Sequence, residues 1–265
     1  MSGFRAWTLV EGAFREGAAV PLTDRGFRYG MSVFETLAVR RGKILFLNQH
    51  LAALKIACAE AGFRNERAEV LSGLEGLPDG LLRIYVTAGD GTALASADEC
   101  RTVAFFESAE FPRSGDVLRG TRIGISRAPT VSVLGGWKTG NYWPHVQAFA
   151  AARANGFDEV LVLNIQGAVI SASMANVFFV FGGVLRTPSV CVGARQGVVR
   201  AWIKEMTPVD EALLSLEDIK GADECFLTNS RLGVMPVAEI EGRCLPSRNR
   251  GEALAALYRE RILGE

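Results

Sequence analysis

The sequence predicts an α+β chain in two domains. Three observations carry this: short strand-like runs interspersed with helical ones, the absence of a regular βαβ rhythm, and a break in periodicity at Phe111-Pro112-Arg113-Ser114-Gly115-Asp116. The expected division is a small first domain over 1–112, a linker over 113–120 and a larger second domain over 121–265.

In the first domain, residues 33–40 (VFETLAVR) are rich in β-formers, and Arg41-Gly42 turns the chain into Ile44-Leu45-Phe46. Asn48 is placed to cap a helix through Ala61, with Leu51, Leu54 and Cys58 on one face and Gly62 as its stop. Residues 81–87 and 101–107 read as strands, separated by the turn-rich Ala88-Gly89-Asp90-Gly91. In the second domain a strand over 122–126 leads to a loop ending at Gly135-Gly136-Trp137-Lys138. An alanine-rich helix over 142–154 follows and stops at Asn155-Gly156. Residues 159–164, 176–181 and 223–227 read as strands, 190–192 as strand-like, 197–206 as a helix and 249–262 as a closing amphipathic helix.

The composition excludes several function classes. There are 29 basic and 29 acidic residues, so the chain lacks the basic excess of a general nucleic-acid binder. The basic set is lopsided, with 24 Arg and 5 Lys. The most apolar run, 177–185, is too short to span a bilayer and is broken by Gly182 and Gly183, so no membrane association is expected. Residues 1–7 show no secretory apolar region. The five cysteines are odd in number, widely spaced and without a CxxC. They read as buried thiols in a reducing compartment, and the expected location is the cytoplasm. With two histidines and no Cys/His cluster, no metal site is expected. GxGxxG and GxxxxGK[ST] are both absent.

A few positions invite chemistry, each beside a plainer reading. Lys138 stands between a glycine turn and Thr139-Gly140-Asn141, where its amine can reach a carbonyl as an imine; a solvated loop lysine is the plain alternative. Gly197-Val198-Val199-Arg200 opens a helix, whose unpaired amides and dipole suit a phosphate; otherwise it is a glycine turn. Thr228-Asn229-Ser230 offers three small polar residues at a strand end, or an ordinary turn. His50 fits a structural histidine, and Asp24, Arg25 and Arg28 fit a charged turn.

Taken together, these segments resemble the class IV aminotransferases, the fold-type IV pyridoxal-phosphate (PLP) enzymes that include branched-chain and D-amino-acid aminotransferases and 4-amino-4-deoxychorismate lyase. The resemblance runs through Asp24-Arg25-Gly26-Phe27-Arg28-Tyr29-Gly30, Val33-Phe34-Glu35-Thr36 and His50-Leu51. It continues through Lys138-Thr139-Gly140-Asn141-Tyr142, Phe157-Asp158-Glu159-Val160-Leu161, Gly167 and Asn176-Val177-Phe178. Gly197-Val198-Val199-Arg200, Glu224 through Ser230, and Gly233-Val234-Met235-Pro236-Val237 complete it. The resemblance implies a D-amino-acid-aminotransferase-like fold, with a small N-terminal α/β sandwich and a larger C-terminal pseudo-barrel that binds PLP. It implies Lys138 as the imine-forming catalytic lysine and proton shuttle. It implies cofactor contacts from Ser171, Asn176, Gly197, Val198, Val199, Asn229, Ser230 and His50, and a substrate pocket shaped by Tyr29, Phe27 and Tyr142. It also implies a small amino-carboxylate substrate and a homodimer with its active site near the interface.

The sequence departs from that family at two chemical positions. Where a glutamate usually pairs with the pyridine nitrogen, five residues before Asn176, this chain has Ser171. A serine hydroxyl can hydrogen-bond to that nitrogen but cannot hold a proton on it. The ring is then a weaker electron sink, which disfavours the long-lived carbanion that transamination needs and leans toward elimination. Where the family commonly has a phosphate-binding arginine, three residues after His50, this chain has Ala53. Such a charge-assisted pair is worth about 1.5–3 kcal/mol. Lys55 lies on another part of the helix, so any replacement would come from another arginine. A smaller departure is Val199, often threonine. The segment around Thr228-Asn229-Ser230 looks closest to the lyases. A lyase-like activity therefore ranks first, an aminotransferase second and a degenerate relative with weak or no PLP chemistry third.

Overall fold

The computed structural model describes residues 4–17, 19–64, 74–126 and 136–265; Gly135 of the expected glycine turn lies outside them. The chain divides into two units. Unit 1 comprises Met1–Glu110 with Trp137–Tyr142, and unit 2 comprises Phe111–Gly136 with Trp143–Glu265.

Unit 1 holds β1 (Phe4–Val10), β2 (Ala13–Glu16), α1 (Arg25–Tyr29), β3 (Ser32–Arg40), β4 (Lys43–Ile44), α2 (Leu47–Glu60), β5 (Gly80–Thr87) and β6 (Arg101–Ser108). Its six strands form one sheet in the order β2-β1-β6-β5-β3-β4, antiparallel throughout. Strand alternation sorts β3 into two faces. Val33, Leu37 and Val39 enter the core with Leu54 and Cys58 of α2, while Phe34, Thr36 and Ala38 turn to the opposite face. Helix α2 starts one residue before the expected cap. Phe46, not Asn48, is the N-cap, in a left-handed conformation with φ 52°. The reason is local: Leu45 N donates to Ala38 O at 2.9 Å, closing the β3–β4 hairpin so that the chain must reverse at Phe46.

Unit 2 holds α3 (Ser114–Arg119), β7 (Thr121–Ile125), α4 (Trp143–Ala154), β8 (Glu159–Leu163), β9 (Val169–Ala172), β10 (Asn176–Phe181) and β11 (Val184–Pro188). It continues with α5 (Val198–Met206), β12 (Asp210–Ala212), α6 (Leu216–Lys220), β13 (Glu224–Asn229), β14 (Gly233–Ile240), β15 (Arg243–Cys244) and α7 (Asn249–Tyr258). Nine strands form one sheet, ordered β12-β11-β10-β13-β14-β7-β8-β9, with β15 on β14. β10 reads Asn-Val-Phe-Phe-Val-Phe and is buried on both faces, as its central place requires. Phe179 joins one core with Leu227 and Val237, whereas Phe178 stacks on Phe226 at 4.9 Å on the other face. Trp202 of α5 meets Tyr258 of α7 edge to face at 5.3 Å.

Several expectations change here. The expected linker contains α3, whose Asp116 carboxylate accepts from Arg113 N at 3.0 Å and caps the turn. Residues 190–192 form a 3-10 turn rather than a strand, because Ser189 accepts from Cys191 N and Gly193 stops the turn with φ 102°. The closing helix ends at Tyr258 and widens into a π-turn over Arg259–Leu263. Cys191 and Cys244 are exposed, not buried, and no disulfide joins the five cysteines. Among the described residues no helix is long and apolar enough to cross a membrane.

Candidate active site

In unit 1 the site residues hang on α1, β3 and the returning segment Trp137–Tyr142. Helix α1 is only five residues long, so its stability comes from its ends and anchors. Asp24 accepts from Gly26 N at 2.7 Å and from Thr87 Oγ1 at 2.8 Å and pairs with Arg101. Gly30 closes α1 at φ 68°, and a Cβ there would strike the Asn141 side chain. Arg25, buried, gives its guanidinium to four carbonyls, those of Ala88, Gly89, Ala95 and Ser96. It is a clamp on the 88–96 loop, with its donors consumed by backbone. Phe27 and Tyr29 stand outward on α1, 66% and 42% exposed.

Residues 138–140 run along β3. Phe34 N donates to Lys138 O at 2.8 Å, Gly140 N donates to Ser32 O at 3.0 Å, and Thr139 bridges Val33. This docking delivers the Lys138 side chain to the Phe34–Thr36 face of β3. Its Nζ donates to Thr36 Oγ1 at 2.6 Å and lies 4.7 Å from the Phe34 ring centre and 6.0 Å from that of Tyr142. Phe34 in turn stacks on Tyr85 at 4.5 Å and meets Tyr142 edge-on at 5.5 Å. One hydroxyl and two aromatic rings thus fix the half-buried ammonium, the rings through cation–π attraction. Sequence reasoning missed Thr36 and Phe34 as partners of Lys138. The signal was present, since period-2 alternation puts both on one face.

His50 is not brought to this group. It is buried with Nδ1 2.8 Å from Glu35 Oε2, and Glu35 shares the core face of β3, opposite Thr36.

In unit 2 four of the predicted cofactor residues, Asn176, Gly197, Val198 and Val199, meet at the start of α5. Gly197 is its N-cap, no side chain caps the helix, and Val198 and Val199 are buried in its first turn. A Cβ on Gly197 would strike Asn176 Oδ1, and Asn176 Nδ2 donates to Arg195 O at 2.8 Å. Asn176 therefore fixes the approach to the helix from β10. Its cross-strand partner is Thr228, followed by Asn229 and Ser230. The Asn229 side chain is engaged in the fold: Oδ1 accepts from Arg231 N and Leu232 N at 2.9 and 2.7 Å, and Nδ2 donates to Met174 O at 2.9 Å.

Ser171 lies on β9 opposite Val162. Glu159, named within the resembling motif but given no role there, opens β8 and accepts from the turn between Ser171 and Asn176. Burial raises its pKa, opposed by the hydrogen bonds from Ser173, Val160 and Met174. With both oxygens taken by that turn, Glu159 is no substitute for the acid missing at 171. Beside α5, Glu211 is held down to about pKa 2, chiefly by its hydrogen bond with Lys204 and then by Arg200.

Comparison with known proteins identifies the family and the fold. The family model described as amino-transferase class IV matches residues 32–240. The chain is 30% identical over 251 residues to a putative branched-chain-amino-acid aminotransferase of Methanocaldococcus jannaschii, covering 89% of this chain and 87% of that one. Its fold matches the crystal structure of 4-amino-4-deoxychorismate lyase from Pseudomonas aeruginosa with a TM-score of 0.85 at 28% identity, over 97% and 98% of the two chains. It also matches the fold of an aminotransferase from Brucella abortus bound to the co-factor PLP, with a TM-score of 0.79 at 23% identity, over 96% and 99%.

Proposed function

The chain is an enzyme of the class IV aminotransferase family, and on that premise we propose that it is a PLP-dependent lyase that releases pyruvate from 4-amino-4-deoxychorismate or a close relative. The observation that carries the choice of elimination is Ser171, a hydroxyl where the resemblance calls for an acid.

The residues present fit the cofactor. The first amides of α5 are left uncapped by any side chain, and Gly197 is compact enough for close approach, which suits a phosphate. When bound, PLP supplies an aldehyde for imine chemistry and a ring that draws electrons from the adjacent carbon.

The chain's own residues divide the remaining work. Lys138 contributes the amine and, once displaced by substrate, moves the proton at the reacting carbon. Thr36 holds Nζ in place through its 2.6 Å hydrogen bond. The Val198 and Val199 amides, with the Ser230 hydroxyl, hold the phosphate, while Asn176 and Asn229 shape the turns that present them. Ser171 meets the ring nitrogen. Phe27, Tyr29 and Tyr142 line the substrate pocket.

The enzyme works as a cytoplasmic homodimer. The exposed Leu22, Phe27 and Tyr29 support an interface around α1, and the odd number and wide spacing of the cysteines support a reducing compartment.

A branched-chain aminotransferase is the second reading, favoured by the relative at 30% identity. Purified protein supplied with PLP separates the two. Pyruvate formed from 4-amino-4-deoxychorismate with no 2-oxo acid present supports the lyase. Conversion of amino acids only when an acceptor is added overturns it in favour of the aminotransferase.

A further inference from the structure

We propose that Glu159 is a positioning residue for the cofactor side of unit 2: its carboxylate sets the 173–174 turn and, through it, the places of Ser171 and Asn176. The inference rests on the PLP reading above and deepens it.

Glu159 is the one charged residue of β8, otherwise Val-Leu-Val-Leu, and is 5% exposed. A carboxylate at that depth is costly unless donors satisfy it. Here all but one come from the turn. Oε1 accepts from Val160 N at 2.9 Å, from Ser173 N at 3.1 Å and from the Ser173 hydroxyl, and Oε2 accepts from Met174 N at 3.2 Å.

The same two turn residues are held from other elements. His145 Nδ1, on α4, meets Ser173 O at 3.0 Å, and Asn229 Nδ2, at the end of β13, donates to Met174 O at 2.9 Å. Ala172 N donates to Ala175 O at 2.8 Å and closes the turn.

Ser171 precedes this turn and Asn176 follows it. Asn176 then carries the position forward, through Arg195 O and against Gly197, to the first turn of α5. A buried acid thus ties β8 to the turn that separates Ser171 from Asn176. Groups that contact a ligand need placement to within about 0.5 Å, and a turn tied at both amides and both carbonyls provides it. The acid explains why a strand that would pack well with a fifth apolar residue carries a glutamate.

The test is a titration of apo-protein, full chain, with PLP, read by cofactor absorbance and quenching of intrinsic fluorescence. Glu159→Gln keeps the shape but replaces one oxygen by a donor facing the turn amides. The expected result is PLP affinity lowered about tenfold or more, the scale on which groups that orient a ligand's contacts act. Combined with Asn176→Ala, the losses should be less than additive, because both act through one relay. A Glu159→Gln Kd within about twofold of wild type, or full additivity, overturns the inference whatever happens to thermal stability, since a merely structural acid would lower Tm without coupling to Asn176. If Glu159→Gln does not fold, Ser173→Ala removes a single donor. An affinity loss of about threefold, one ordinary hydrogen bond, supports the relay, and an unchanged Kd overturns it. Wild-type protein that binds no PLP sinks the parent reading. Wild-type binding with an unaffected variant sinks only this one.

Discussion

The Lys138 amine, proposed above as the reactive group, is held by side chains on one face of β3. Lys138 stood out in the sequence through the family resemblance, since taken locally a solvated loop lysine was the plain reading. Thr36 did not, because its importance comes from the docking of 138–140 on β3, and pairing between distant segments leaves no local trace. His50 shows the converse. It stands in the family-like pattern, yet the structure commits its ring to Glu35 in the core. Two outcomes follow at this scale. Lys138→Ala should abolish borohydride-dependent fixation of PLP to the protein, measured by mass spectrometry, while PLP still binds reversibly. Thr36→Val should lower kcat by roughly 10–100-fold with little change in PLP affinity, the effect of one hydrogen bond to a charged group, about 1.5–3 kcal/mol. Equal kcat values would remove Thr36 from the account.

The elements with strong local signals were legible. β10, a run of large apolar residues, falls where its pattern puts it, and α5 begins just after its glycine. Those missed are short strands whose formation depends on neighbours, such as β9 and β12 at the ends of the sheet. The start of α5 is the element on which the proposed cofactor binding depends. Gly197→Ala should weaken PLP binding by about tenfold or more in the same titration, because a Cβ there displaces Asn176. The α5 flank also carries a pH-sensitive contact. Glu211, ionised and paired with Lys204 and Arg200, has its pKa lowered from 4.5 to about 2. Its contribution to stability is therefore complete above roughly pH 5 and is lost as pH falls toward about 2. Glu211→Gln should lower Tm at pH 7, with the difference from wild type vanishing near pH 2. A difference independent of pH would contradict that origin.

At the scale of the molecule, the α+β class was legible from the mix of short strand and helix signals. The assignment of Trp137–Tyr142 to unit 1 was not, because a few residues that pair with a strand far away in sequence have no boundary signature of their own. Around α1, Leu22 and Phe27 are 76% and 66% exposed. Light scattering across a dilution series should give twice the chain mass, and Phe27→Asp should shift it toward the monomer. A monomer at all concentrations would remove the dimer from the proposal. The central claim is that Ser171 directs the whole enzyme toward elimination, and the partition between products tests it most directly. With 4-amino-4-deoxychorismate and a 2-oxo acid acceptor both present, wild type should form pyruvate in excess over transaminated acceptor, and Ser171→Glu should raise the transaminated share severalfold. An unchanged ratio in Ser171→Glu, with both proteins binding PLP, would contradict it.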